Sequence, residues 1–265
     1  MVGNSPLKFR QKIFLKYFCY PLPGRDHSAD PGTNLHDYEP LATLLNSFGN
    51  EFKEDIQNKV VLDVGCGCGD QVLGVVLAGA RMAVGSEIRP IYYKVEEKAK
   101  ELGMTERVRF ILGSIRVLGQ ESVDLLFSQN SFEHVGKPEE IMEDAFFVLR
   151  KGGRFFVTFA PPWLNPFGIH MFFMIKYPWS HFVFSENTIM QVRKLYRSDG
   201  ADTFSQSEGG LNKMTIKRFI KLGEEAGFRL SSLDLTPIRP LPKFLTTIGG
   251  VREFVTSRVS AILSK

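Results

Sequence analysis

The chain has 265 residues, of which 43% are hydrophobic and 23% charged, and a formal net charge of +4. That is enough apolar material for the core of one α/β domain of ordinary size. Three cysteines make no even framework of bridges, no run is long enough to span a bilayer, and the start lacks an uninterrupted signal-type apolar region; these features predict a reducing, cytoplasmic setting.

The charge is unevenly spread. Residues 1–27 carry Lys8, Arg10, Lys12, Lys16 and Arg25 against Asp26, and residues 237–265 carry Arg239, Lys243, Arg252, Arg258 and Lys265 against Glu253. Basic ends around a more acidic middle suit weak peripheral contact with a membrane, and packing over the active site is the other use open to the N-terminal segment.

Residues 4–37 begin as a basic-aromatic helix (Phe9, Ile13, Phe14, Tyr17, Phe18) and end in an irregular cover, Pro21–Asp37. Glu39-Pro40 opens a helix with Leu41, Leu44, Leu45 and Phe48 on one face, and Gly49 is expected to close it. Val60–Val64 reads as a buried strand that runs straight into Gly65, Gly67 and Gly69, and Asp70–Ala78 as the helix beyond. Strands are then expected at 81–87, 107–112, 123–128, 154–159, 228–235 and 258–263. Between them lie helices at 90–102 (Ile91, Val95, Ala99 and Leu102 inward), at 138–150 capped by Gly152, and at 215–226. Alternation of this kind predicts a parallel sheet covered on both faces. It breaks from Ala160 to Leu211, a connection too long for an ordinary turn and too aromatic for disorder, which reads as a substrate lid. The expected plan is a single domain: a helical cover over 1–50, a core over 58–160, the lid over 160–211 and closing elements over 212–265.

Glycines at alternate positions between a strand and a helix let the backbone approach a nucleotide-like ligand. The spacing is not that of the dinucleotide loop, whose third glycine falls one residue later. At Asp63, Gly65, Cys66, Gly67 and Gly69 the sequence resembles the class I S-adenosylmethionine-dependent methyltransferases, and the resemblance runs through about residues 58–160. Phe132-Glu133-His134 is similar to a segment of their type 11 small-molecule group. The resemblance implies a Rossmann-like, doubly wound, mostly parallel sheet of about seven strands with helices on both faces and the last strand antiparallel. It also implies S-adenosyl-L-methionine as cofactor, with Asp63 near its ammonium.

Glu87, with Ile88 beside it, ends the second strand, where a carboxylate can accept from both ribose hydroxyls. Ser114 and Ile115 stand where the family reads the adenine, with Ser114 in place of the usual Asp, and the Gln129–Asn130 backbone follows strand four. His134 is a candidate base near the methyl; His170 and His181, among the lid aromatics, are candidates to take a proton from an acceptor held in a dry pocket. Cys66 and Cys68 are too close for common zinc spacing, and Gln129 and Asn130 are poor replacements for metal-binding acids, so no metal is expected. Pro161-Pro162-Trp163 follows the wrong strand for a base amino methylase, so nucleic acid is not the expected partner. The expected activity is methyl transfer, by O-methylation, to a small-molecule or lipid- or glycan-linked acceptor. The rivals are a non-catalytic S-adenosylmethionine-binding assembly or regulatory subunit and a nucleotide-sugar or dinucleotide enzyme.

Overall fold

The computed structural model describes residues 7–22, 41–207 and 209–265. Glu39-Pro40 and most of the expected 21–37 cover lie outside the described residues. The described residues open with a short helix, α1 (Phe9–Ile13), that widens into a π turn over Phe14–Phe18. Next come α2 (Ala42–Asp55), β1 (Val60–Val64), α3 (Asp70–Leu77), β2 (Met82–Glu87), α4 (Tyr93–Glu101), β3 (Val108–Leu112) and β4 (Val123–Gln129). There follow α5 (Pro138–Val148), β5 (Leu149–Phe159), α6 (Ser180–Val183), α7 (Glu186–Arg193), α8 (Ile216–Glu225), β6 (Arg229–Pro237), α9 (Gly249–Val255) and β7 (Thr256–Ser264).

The strands form one seven-stranded sheet in the order β3-β2-β1-β4-β5-β7-β6. The pairings on either side of β1 are parallel, while β7 lies antiparallel between β5 and β6. The order reverses between β1 and β4, so a crevice opens at their carboxyl ends, where open α/β sheets bind ligands. One face packs Phe155, Phe159 and Leu263 against Met142 of α5 and Phe219 of α8; the other packs Val61, Phe127 and Phe156 against Phe52 of α2 and Val72 of α3. Burial of each such side chain contributes about 1.5–3 kcal/mol. Among the described residues no helix is long and apolar enough to cross a membrane.

Three local expectations change. Gly49 takes φ 60° and breaks the helical path, but a second helical segment continues to Asp55, because Phe52 and Ile56 still have core to fill. Helix α5 stops at Val148, and β5 begins at Leu149, before the expected start. Gly152 therefore lies within the strand, where its N–H donates to Lys265 O at 3.1 Å. Leu102, expected inward, is exposed beyond the end of α4.

The 160–211 connection carries a small core of its own, in which Ile169, Met174, Ile189 and Met190 are buried with Phe14 from the N-terminal segment. Backbone bonds from Tyr20 N–H to Met174 O (2.8 Å) and from Lys176 N–H to Phe18 O (2.9 Å) lay that segment along the lid. The N-terminal segment is thus part of the lid's core. The lid aromatics divide: Trp163 and Phe184 pack on this core, whereas Phe172, Phe173, Tyr177, Trp179 and Phe182 are exposed instead of lining a pocket.

Candidate active site

Beyond Val64 the chain turns through Gly65 and Gly67 at φ 79° and 53°. The N–H groups of Gly65 and Cys66 both donate to Ser86 O, each at 2.9 Å, which ties the loop to β2. On its other side Ser131 donates its hydroxyl to Gly65 O at 2.8 Å, and a Cβ added at Gly65 would stand 2.7 Å from Ser131 Cβ. Gly67 is different: a Cβ there would meet nothing within 4 Å. Its N–H donates to Glu87 Oε2 at 3.0 Å, and Glu87 Oε1 accepts from Ile88 N–H at 2.8 Å. The loop is pinned at Gly65 and open above Gly67.

Asp63, only 3% exposed beneath this loop, has no partner for Oδ2. Burial, and then the charge of Glu87, push its carboxyl well above the usual range. A buried carboxylate is costly without a cation, and the ammonium of an amino-acid ligand supplies one. The open space over Gly67 and the unpartnered Asp63 oxygen therefore both fit a ligand with an ammonium at one end and a ribose within reach of Glu87. Burial also raises the thiol pKa of Cys66, which packs under the loop, and of Cys68, so neither is an activated nucleophile.

Ile88 is exposed on the rim. The Ser114 hydroxyl donates to Asp144 Oδ2 at 2.8 Å and accepts from Arg116 N–H at 3.1 Å, so the start of its own turn and α5 already engage the group expected to meet the adenine. Ile115 is buried in the core, which leaves backbone groups there to read a ring. Gln129 ends β4, and Asn130, at φ 50°, donates its N–H to Thr158 O at 2.8 Å.

Next to this crevice the structure assembles Glu133, His134 and His170. Glu133 is buried; Oε1 accepts from Ala160 N–H at 3.0 Å and Oε2 has no partner. Burial raises its pKa against the opposing influence of His134. His134 Nδ1 lies 2.6 Å from Gly210 O, and His170 Nε2 lies 3.0 Å from Pro161 O. A carbonyl only accepts, so those nitrogens carry the protons, and His134 Nε2 and His170 Nδ1 keep free lone pairs in the neutral rings. The two rings meet edge to face at 5.2 Å. Ligand-capable atoms of all three residues lie within 4.8 Å of one another, a set that could also hold a divalent ion.

His181 does not join them. Its Nε2 donates to Trp163 O at 3.1 Å and its ring packs on Trp163 and Phe182. Burial lowers His170 and His181 to about 4, which keeps both neutral and makes both weak bases.

Sequence reasoning missed the residues that hold His134 in place. Asn212 Nδ2 donates to Phe132 O at 2.8 Å and to Val135 O at 2.9 Å, clamping the turn, while Gly210 supplies the carbonyl that sets the tautomer. The Gly209-Gly210 pair before α8 was the only local signal, and nothing local joins it to a histidine so far away in the chain.

A family model described as a methyltransferase domain matches residues 56–161, the span from the end of α2 to the lid. The match falls on this sheet and glycine loop. The chain is an S-adenosylmethionine-dependent methyltransferase, similar over that span to the class I enzymes. An uncharacterized methyltransferase of Mycobacterium ulcerans is 24% identical over 218 residues, covering 80% of this chain and 78% of the relative. A sterol 4-C-methyltransferase of Caenorhabditis elegans is 26% identical over 137 residues, 51% of this chain and 41% of the relative. Among solved structures, a geranyl diphosphate methyltransferase in complex with S-adenosylmethionine superposes with TM-score 0.54 at 14% identity, covering 93% of this methyltransferase and 97% of that chain. An S-adenosylmethionine-dependent methyltransferase of Mesorhizobium loti gives TM-score 0.52 at 15% identity over 80% and 93% of the two chains. The methyltransferase thus shares its cofactor, S-adenosyl-L-methionine, with the family.

Proposed function

We propose that the enzyme methylates a hydroxyl on an acceptor with an apolar body, and that His134 takes the hydroxyl proton. The observation that carries this reading is the Glu133–His134–His170 cluster at the carboxyl ends of β4 and β5. The bound cofactor supplies an electrophilic methyl whose leaving group departs neutral. What remains for the chain is to align the acceptor and receive its proton, and alignment alone can supply about 7–11 kcal/mol. His134, held by Gly210 O, offers Nε2; the buried Glu133 carboxyl beside it stabilises the imidazolium that results. His170, at about 4, is a weak base and serves to orient the acceptor oxygen. This shifts the proton from the lid histidines, where the sequence pointed, to His134. The apolar body is supported by two similar proteins, a sterol 4-C-methyltransferase and a geranyl diphosphate methyltransferase.

The test is S-adenosylhomocysteine formation with a library of hydroxylated apolar acceptors. His134→Gln is expected to lower turnover about 10²–10⁴-fold, the range for loss of a general base, with S-adenosylhomocysteine affinity unchanged. Full turnover in His134→Gln with an accepted substrate overturns the assignment.

A second reading is favoured by the same atoms. Two histidines, each with its other nitrogen on a backbone carbonyl, plus a carboxylate oxygen without a partner make a ligand set for a divalent transition ion, which would polarise the acceptor oxygen. Chelation separates the two: turnover that survives it belongs to the base, and turnover that is lost and restored by added metal belongs to the ion.

A further inference from the structure

We propose that the enzyme docks on anionic lipid bilayers through one face built from the N-terminal segment, the lid and the α9 region. Residues 7–22, 166–184 and 238–258 contain a single acid, Glu253, and that carboxylate is buried and taken by the N–H groups of Ile216 (3.0 Å) and Lys217 (2.7 Å). The same stretches hold exposed Lys8, Arg10, Lys12 and Lys16. They also hold a large share of the exposed apolar side chains, among them Phe9 (77% exposed), Tyr177 (52%), Phe182 (50%) and Phe244 (63%).

The three stretches touch. The rings of Phe18 and Tyr177 lie 5.5 Å apart, joining the N-terminal segment to the lid, and those of Phe182 and Phe254 lie 6.4 Å apart, joining the lid to α9. Asn165 Nδ2 donates to Thr256 O at 2.7 Å along the same seam. Exposed aromatics set among cations, with no exposed acid in the three stretches and Asp234 of β6 beside them paired to Lys243 at 2.7 Å, are the composition of surfaces that settle into the headgroup region. Such a surface fits anionic phospholipid by charge. A second copy of this chain would set cation against cation, which disfavours a symmetric dimer through this face. Charge at the two termini is visible in the sequence; the contribution of the lid aromatics, which joins them into one face, is not.

The experiment is vesicle flotation of the full chain at about 50 mM salt, using phosphatidylcholine vesicles with and without about 30% phosphatidylglycerol. Wild type should float with the phosphatidylglycerol vesicles, and not with phosphatidylcholine alone or at about 0.5 M salt. Arg10→Glu with Lys16→Glu should lower partitioning at least about twentyfold, since each surface cation contributes about fivefold. Phe9→Ser with Phe244→Ser should lower it as well. S-adenosylhomocysteine affinity should stay the same in every variant, so loss of docking is distinguishable from loss of the methyltransferase site. Absence of flotation with phosphatidylglycerol, flotation that neither double variant reduces, or concentration-dependent self-association that both variants abolish would each overturn the proposal.

Discussion

Gly65 and Gly67 share a backbone conformation and answer to different constraints. Gly65→Ala forces a methyl to 2.7 Å from Ser131 Cβ at φ 79°, so it should lower the melting temperature by several degrees. Gly67→Ala meets no protein atom, only the strain of φ 53°, so the fold should survive while S-adenosylhomocysteine binding weakens at least about tenfold. Thermal melts and calorimetry on the pair read both. Asp63 adds a proton-linked signature. Its folded carboxyl is raised, so the stability it contributes is greatest below its ordinary 3.8 and is lost as pH climbs through the raised value. A ligand ammonium reverses that preference; binding should therefore release a proton, seen as a buffer-dependent calorimetric enthalpy. His170 and His181 work in the opposite sense. Each is lowered from 6.5 to about 4, so the unfolded chain binds more protons in that window; the stability they contribute is present above 6.5 and falls as pH drops toward 4. His181→Leu should flatten the acid limb of the melting profile, and a limb as steep as wild type would count against this origin.

At the scale of elements, the lid is a satellite core with a largely buried ion pair inside it. Arg193, nearly fully buried on α7, donates to both oxygens of Asp199, each at 2.6 Å. Removing one partner of such a pair costs about 3–5 kcal/mol because the other charge stays buried. Asp199→Ala should therefore open the lid to limited proteolysis near 180–204 and raise KM for the acceptor, while S-adenosylhomocysteine still binds the sheet. Strands such as Val60–Val64 and helices such as α8 were legible because an apolar run or a 3.6-residue stripe states its own burial. The α5–β5 boundary was not: the Gly152-Gly153 pair reads as the turn, whereas pairing of Leu149 with Val123 of β4 starts the strand ahead of it. The lid's helices were hidden for a related reason, since their apolar residues answer to Phe14 from the other end of the chain and not to a local period.

Over the whole molecule, the crevice between β1 and β4 collects Asp63, Gly67 and Glu87 from β1, its loop and β2, and sets beside them a cluster drawn from β4 and the lid. The residues expected to hold the cofactor were placed from the sequence because they follow strand ends that it announces. Gly210 and Asn212, which hold His134, reach the site only through tertiary folding and left no pattern to read. Two halves assembled in this way should fail independently, changes at the glycine loop and Glu87 lowering cofactor affinity and changes at the histidine cluster lowering turnover. Calorimetric titration of S-adenosylhomocysteine into wild type, Glu87→Ala and His134→Gln tests that division most directly. The account predicts binding at least about tenfold weaker in Glu87→Ala, for loss of two charged hydrogen bonds, and wild-type affinity in His134→Gln. Wild-type affinity in Glu87→Ala, or a comparable loss in His134→Gln, would contradict it.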